Sequence, residues 1–590
     1  MAQLATLSSA SRWTLRDLLA AAALFVAAAA VVLWQNSHLA VLWDISYILD
    51  SSFRIALGQL PYRDFPLAHA PLTFLIQAAI IRLTGRVFFH HVLYAAIVAG
   101  SSTVVTWRIA LHTLQPRLAA AWTTSLLLAI PLTVLGIYTI YPHPNYDCDC
   151  IFSILIAILL LQRLLSASSR LYLPAIAAGT SIVVPLFFKQ NIGLPFLLAA
   201  AGGTGLLLAI RFLFRRTTAS VTPSTRTLLT MLAAAAVTLL AAILLMHWTV
   251  GIGNYVRWTV RFAGQRRLPG FHDMLAVYAE PSLIWTVPCI ATALLLFKTG
   301  LVKNPWARLL ALVLFAAPFL YTLLSLFRTH DPDDRASSLL ALWPPILILS
   351  AILALYNLRR GLNLGVLLPI VILAAIHGTL LSQQLWGSTY AIWPLFILLL
   401  AQMIAYLTPG VLPAGEAVTE SQFQTYVPTL TSVIAIALLV CGGFYTASEE
   451  RLSYVDLTNG PLVHSSFPQL AGMAVRGPYL PGFDQLVRFA AAEIPAHDGL
   501  ILINGEDPFY FTTGRTPQFP VLLFDPASDP YSPAQIVDEA RARNIRWLIV
   551  KRNLQIKEDP THQNEKTISL LTYDFALYRR LDNYDVYRRR

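Results

Sequence analysis

Between Asp17 and Asp44 the chain contains no Asp, Glu, Lys or Arg. About 20 apolar residues in a helix cross the hydrocarbon core of a bilayer. Within lipid a segment must satisfy its own backbone hydrogen bonds, so such a run reads as a helix. Similar runs recur as far as residue 446. Of the 590 residues 56% are hydrophobic and only 12% charged, about half the charged fraction of a soluble domain. The mean hydropathy is +0.61. These values describe a polytopic membrane protein whose core is buried largely in lipid. The net charge of +11 belongs to membrane topology, where Lys and Arg collect in cytoplasmic turns, and not to nucleic-acid binding. Cys148, Cys150, Cys289 and Cys441 are too few for a disulfide framework.

The hydrophobic pattern predicts about thirteen spans, at 18–38, 88–111, 119–140, 150–165, 171–188, 192–213, 227–249, 281–298, 307–327, 337–356, 363–382, 389–408 and 428–446. The run after Arg12 and Arg16 is read as an uncleaved anchor rather than a signal peptide. Residues 71–85 are short and amphipathic, as expected of an interfacial helix. With the N-terminus in the cytoplasm, Arg117, Arg163, Arg170, Arg215, Arg216, Arg226, Lys298, Lys303, Arg308, Arg359 and Arg360 fall in cytoplasmic turns, as the positive-inside rule requires. An odd number of spans then places the C-terminal part outside. The expected location is the cytoplasmic (inner) membrane.

Residues 39–87 form the first outer loop in this reading, with a short helix at 51–58 ended by Gly58 and a turn at Leu60-Pro61. Asp44, Asp50, Arg54, Arg63, Asp64 and His69 lie in it. Charge beside a membrane span costs free energy and marks candidate function. Other basic residues also fall outside: Lys189 at the end of the fifth span, then Arg257, Arg261, Arg266 and Arg267 after the seventh, and Arg328 and Arg335 around a DPDD run. Cations on that side suit an anionic ligand. The segment 253–274, with glycines near both ends, is expected to be a mobile loop that orders on ligand arrival. The fixed alternative is an amphipathic helix on the headgroups.

A second acidic cluster follows the third span in YPHPNYDCDC, residues 141–150. Asp147 and Asp149 stand at a D-x-D spacing on the same face as Asp44. Asp44, Asp147 and Asp149 could share a divalent cation, Mg or Mn, through hard oxygen ligands. His143 and the cysteines leave zinc open as a softer choice, although small packing residues are the simpler reading of Cys148 and Cys150. Basic partners could neutralise the cluster without a metal.

After residue 446 the pattern changes to that of a small extracytoplasmic α/β domain, 447–590. DGLILING, PVLLF and RWLIVKR read as strands, FDQLVRFAAAEI and PAQIVDEARAR as helices, and ALYRRLDNYDVYRRR as a terminal hairpin. There is no nucleotide-binding Gly-rich loop, no nucleophile elbow and no internal repeat.

Several motifs carry a family resemblance. Trp43-Asp44, the string GQLPYRDF from Gly58 to Phe65, Ala70 to Leu72, YPHPNYD from Tyr141 to Asp147, and FKQNIGL from Phe188 to Leu194 resemble the membrane-embedded GT-C glycosyltransferases. The bacterial lipopolysaccharide-glycosyltransferase-like branch, related to protein O-mannosyltransferases and the lipid A aminoarabinose transferase, is the most similar. The resemblance covers residues 15–350. It implies a GT-C-like all-α polytopic domain (1–446), a polyprenyl-phosphate-linked sugar donor, and an envelope glycan, lipid or protein as acceptor. It also implies a catalytic or metal-binding Asp at Asp44, with second-loop acids at Asp147 and Asp149. Relatives often carry Asp-Glu at the first site, where this chain has Asp44-Ile45. Tyr62, Arg63, Asp64, His69, Lys189, Gln190, Arg257, Arg261, Arg266 and Arg267 are the candidate substrate contacts. Arg63 and Asp64 could equally be a structural pair. The rival functions are a transporter, whose charges would sit within spans at broken helices, and a non-catalytic envelope protein that binds through its outer domain.

Overall fold

The structure is a computed structural model. It describes all residues except 1–12, 39, 140–141, 166–171, 214–222, 268–274, 299–304, 329–338, 361–363, 382–390, 408–416, 448–459, 526–527 and 556–562. The helical body runs α1 (Leu15–Asn36), α2 (Leu42–Ala56), α3 (Leu72–Thr84), α4 (Phe88–Leu114), α5 (Ala121–Ala129), α6 (Leu132–Leu135), α7 (Tyr146–Leu165), α8 (Tyr172–Val183), α9 (Gln190–Leu197), α10 (Gly203–Leu213), α11 (Thr225–Thr249), α12 (Ile252–Val256), α13 (Ala263–Arg267), α14 (Leu283–Lys298), α15 (Pro305–Arg328), α16 (Trp343–Arg360), α17 (Leu364–Leu380), α18 (Trp393–Leu407) and α19 (Ala417–Ala447). Each predicted span coincides with a helical segment. Among the described residues six helices are long and apolar enough to cross a membrane, and the chain is a multi-pass membrane protein.

Burial orders these helices from centre to lipid. The most apolar stretch of α4 is 56% buried, whereas that of α11 is 17% buried. α4 is the central post, packed by α1, α5, α7 and α18. Its 27 residues give a length of about 40 Å. α11 exposes Leu229, Val237, Leu240, Leu245 and Trp248, a face that only lipid would cover. Small residues allow close helix approach. A Cβ added at Gly100 of α4 would meet the Phe25 ring of α1 at 2.6 Å.

α2 departs from the expected loop. It is one helix over Leu42–Ala56, and Asp50 and Arg54 are among its buried residues. Gly58 takes φ +97° just beyond it, and its N–H donates to Ile55 O at 2.9 Å. A positive φ there suits glycine, so the stop was read correctly while the start lies earlier than expected.

The C-terminal domain is built on α20 (Tyr479–Glu493), α21 (Phe509–Thr513), α22 (Pro533–Ala542) and α23 (Gln563–Leu571), with strands β1 (Leu462–His464), β2 (Ala474–Arg476), β3 (Leu500–Ile503), β4 (Trp547–Lys551), β5 (Phe575–Arg580) and β6 (Tyr584–Arg589). Its main sheet has the order β3-β4-β6-β5. β3 and β4 are parallel, with Leu500 opposite Trp547, and β5 and β6 form the expected antiparallel hairpin. Parallel pairing requires a crossover, which α21 and α22 supply. Strand side chains alternate between faces. Leu500, Leu502, Trp547 and Ile549 therefore join one cluster, shared with Leu42, Ile45, Leu49 and Phe53 of α2. Ile501, Ile503, Leu548 and Val550 join the other, with Ile536, Val537 and Leu571. One sheet face thus docks the domain on the helical body, and each fully buried large side chain contributes roughly 1.5–3 kcal/mol. The PVLLF segment is not a strand. Pro520 has no N–H for a ladder, and its carbonyl and that of Phe519 accept from Arg54 Nη1 at 2.8 and 3.1 Å.

Candidate functional site

The site lies at the end of the helical body covered by the α/β domain. Its centre is the break between α8 and α9. Pro185 lies in a 3-10 turn over Val184–Phe187, and Lys189 then takes an extended conformation (φ −151°, ψ 115°) as the N-cap of α9. The chain folds back so tightly that a Cβ on Gly193 would meet Leu186 N at 2.3 Å. Lys189 is buried and its Nζ donates to Asp147 Oδ1. The same ammonium lies 5.0 Å from the Tyr146 ring centroid. Tyr146 stacks on His69, with centroids 4.0 Å apart at 23°, and Tyr47 Oη is 2.9 Å from His69 Nδ1. Asp44 and Tyr47 are three residues apart on α2, hence on one helix face. Lys189, Asp147, Tyr146, His69 and Tyr47 thus form a continuous series ending on the face that carries Asp44.

Of the predicted substrate contacts, Tyr62, His69, Lys189 and Gln190 are brought together. Tyr62 Oη donates to His69 O at 2.7 Å, and Gln190 Nε2 donates to Ala68 O at 3.2 Å and Thr259 O at 2.9 Å. Arg63 and Asp64 are engaged with each other at 2.9 Å. Asp64 also accepts from Leu60 N at 2.7 Å, so the pair closes the 60–65 turn. Hydrogen bonding from Arg63 holds the Asp64 carboxyl below its ordinary range. Arg257 and Arg261 are exposed on a π-helical stretch over Arg257–Phe262. Arg266 and Arg267 close α13, and their side chains lie outside the described residues. The segment expected to be a mobile loop is helical from Ile252 to Arg267, and its residues 268–274 lie outside the described residues. Arg335 and the DPDD run lie outside the described residues.

The D-x-D spacing acts differently from the sequence expectation. α7 starts at Tyr146, and Asn145 Oδ1 accepts from Asp147 N at 2.8 Å in its first turn. Side chains two apart on a helix do not face each other. Asp147 turns to Lys189, whereas Asp149 accepts from Thr73 Oγ1 at 2.6 Å, Tyr94 Oη at 2.8 Å and Tyr138 Oη at 2.6 Å. Asp149 thereby ties α3, α4 and the 136–139 turn to α7. His143 is buried. Among the described residues no three His, Cys, Asp or Glu side chains come together to hold a metal ion. Asp147 and Asp149 turn to different partners, so the two D-x-D acids do not share one ion in this arrangement. Cys148 and Cys150 are buried in the helical core, as packing residues would be.

No protein-family model matches the chain, and no curated protein matches it. Among solved structures the chain is similar, over 96% of its length and 97% of the other chain, to ArnT from Cupriavidus metallidurans bound to undecaprenyl phosphate, at 10% identity and a TM-score of 0.48. The apo state of that protein gives 12% identity and 0.46 over the same shares. The archaeal oligosaccharyltransferase AglB from Archaeoglobus fulgidus, in complex with an inhibitory peptide and a dolichol-phosphate, gives 11% identity and 0.44, covering 95% of this chain and 72% of that one.

Proposed function

We propose that the chain is a membrane glycosyltransferase of the GT-C type that transfers a sugar from a polyprenyl-phosphate donor to an envelope glycan, lipid or protein. The observation that carries this reading is the buried Lys189–Asp147 pair, linked through Tyr146, His69 and Tyr47 to the face of α2 that holds Asp44. In the reaction the anomeric carbon–phosphate oxygen bond breaks and the acceptor oxygen bonds to the anomeric carbon. Asp44 takes the acceptor proton as general base. The leaving phosphate keeps the bond electrons, and Lys189 with Arg257 and Arg261 offsets its charge. The lysine supplies the positive charge that a divalent cation would otherwise bring, so a chelator leaves turnover unchanged. The proposed orientation puts the N-terminus in the cytoplasm and the α/β domain outside. Cysteines at exposed Gln115 and Asp538 then label oppositely with an impermeant thiol reagent in intact cells.

Asp44→Asn in a labelled-donor assay tests the reading: turnover is lost while the protein stays folded. Retained turnover removes Asp44 from the base role. A helix break holding a buried ion pair is also what a transporter places at its binding site. Donor-dependent product formed by protein in detergent, where no gradient exists, decides for transfer.

A further inference from the structure

α2 starts without a cap of its own. Val41 is its N-cap and provides no side-chain hydrogen bond, whereas helix starts favour Ser, Thr, Asp or Asn there. The orphan Leu42 N–H instead donates to Gln555 Oε1 at 2.9 Å, from the far end of the sequence. Gln555 Nε2 returns a bond to Ala40 O at 3.4 Å. Gln555 is completely buried, and its own N–H donates to Glu506 Oε2 at 3.1 Å. Glu506 is 3.0 Å from Lys551 Nζ, which also donates to Asp507 Oδ1 at 2.9 Å. Asp507 in turn accepts from Tyr584 Oη at 2.7 Å. The Gly505 carbonyl accepts from Ser46 Oγ at 2.7 Å. A network inside the α/β domain therefore ends on the first turn of α2, where Asp44 is the third residue.

We propose that Gln555 is a positioning residue for Asp44: it caps the helix that carries the base, so the catalytic geometry depends on the docked C-terminal domain. The inference rests on the glycosyltransferase reading above. Buried side chains fix the network, and Val41 has no polar side chain with which to cap the turn itself, so the first turn of α2 is held in direction through Gln555.

Gln555→Met in the full-length protein keeps the side-chain volume and removes the cap. The expected result is faster amide exchange over 42–46 and a kcat lower by about fivefold, the factor of one lost cap, with KM for the polyprenyl-phosphate sugar unchanged. Val41→Thr in that background keeps nearly the same shape and places a hydroxyl at the N-cap, where it accepts from the N–H of Trp43 or Asp44 in the same turn, and it restores both kcat and protection. Wild-type kcat and exchange in Gln555→Met overturn the proposal. So does a kcat loss that Val41→Thr does not recover. Asp44→Asn is measured alongside: turnover retained there overturns the base assignment, whereas its loss beside an unaffected Gln555→Met overturns the positioning role alone.

Discussion

The Tyr47 hydroxyl lies 2.9 Å from Nδ1 of His69, one helical turn beyond Asp44. The contact joins the helix that carries the candidate base to the 66–71 segment, and His69 passes it on to Tyr146 by stacking. Tyr47→Phe keeps the ring, including its edge contact with Phe74 at 5.6 Å, and deletes one hydrogen bond. One such bond is worth about 1 kcal/mol, so kcat should fall roughly fivefold with the fold unchanged. His69→Ala removes the bond and the stack together and should cost more. Steady-state kinetics of the two variants checks the order, and equal losses would count against a relay through His69.

Lys189 and Asp147 are both buried. Removing one member of a buried pair leaves an uncompensated charge, at a cost of about 3–5 kcal/mol. Lys189→Met alone should therefore lower the unfolding temperature strongly. Adding Asp147→Asn should recover most of the stability, because the stranded charge is gone. Turnover should stay low in the double variant, since in the proposed reaction Lys189 is a cation for the leaving phosphate. Recovery of turnover along with stability would make the pair structural only.

Asp50 makes the domain interface sensitive to pH. Its carboxyl accepts from Phe511 N at 2.7 Å and Tyr510 N at 3.3 Å, while Arg86 Nη1 donates to the Phe511 and Thr512 carbonyls at 2.7 and 3.0 Å. α21 is gripped at both ends. Burial pushes the Asp50 carboxyl up from 3.8 to about 8. A raised folded-state value means that the folded form binds the extra proton. The associated stability is fully present below the ordinary carboxylate range and is lost as pH rises through about 8. Unfolding temperatures measured between about pH 5 and pH 9 should fall for the natural protein and stay flatter for Asp50→Asn. Parallel curves would remove Asp50 as the cause.

Helical spans were legible because lipid demands long apolar runs, and Lys189 and Asp147 stood out as charges beside them. α2 was less legible. Its buried Asp50 and Arg54 are matched by Phe511 and Pro520, partners hundreds of residues away that local patterning cannot show. The D-x-D acids were visible as residues, but their divergence depends on the helix starting at Tyr146, a boundary that sequence fixes poorly. Thr73, Tyr94 and Tyr138 carried no signal, since hydroxyls in apolar helices look like filler until a carboxylate is placed among them. Gln555 was equally silent. Its role follows from what α2 lacks at Val41.

Trp258 anchors the segment that the sequence suggested would move. Its Nε1 donates to Tyr62 O at 3.0 Å, Tyr255 meets Tyr62 edge-on with centroids 5.1 Å apart, and Thr259 O accepts from Gln190. These contacts fix the helical 252–267 stretch to the 60–65 turn and present Arg257 and Arg261 from a rigid base. Trp258→Phe removes the bond to Tyr62 and retains most of the ring. Amide exchange across 255–262 should then rise in the absence of donor and return toward the natural level when donor binds. The arginines would be ordered at the expense of binding, so KM for the donor should rise severalfold while kcat holds, the pattern of lost ground-state and transition-state binding in equal measure. Unchanged exchange in Trp258→Phe would show that the stretch is held by Gln190 and the Tyr62–Tyr255 contact instead, and a fall in kcat alone would place Trp258 in the chemical step rather than in donor binding.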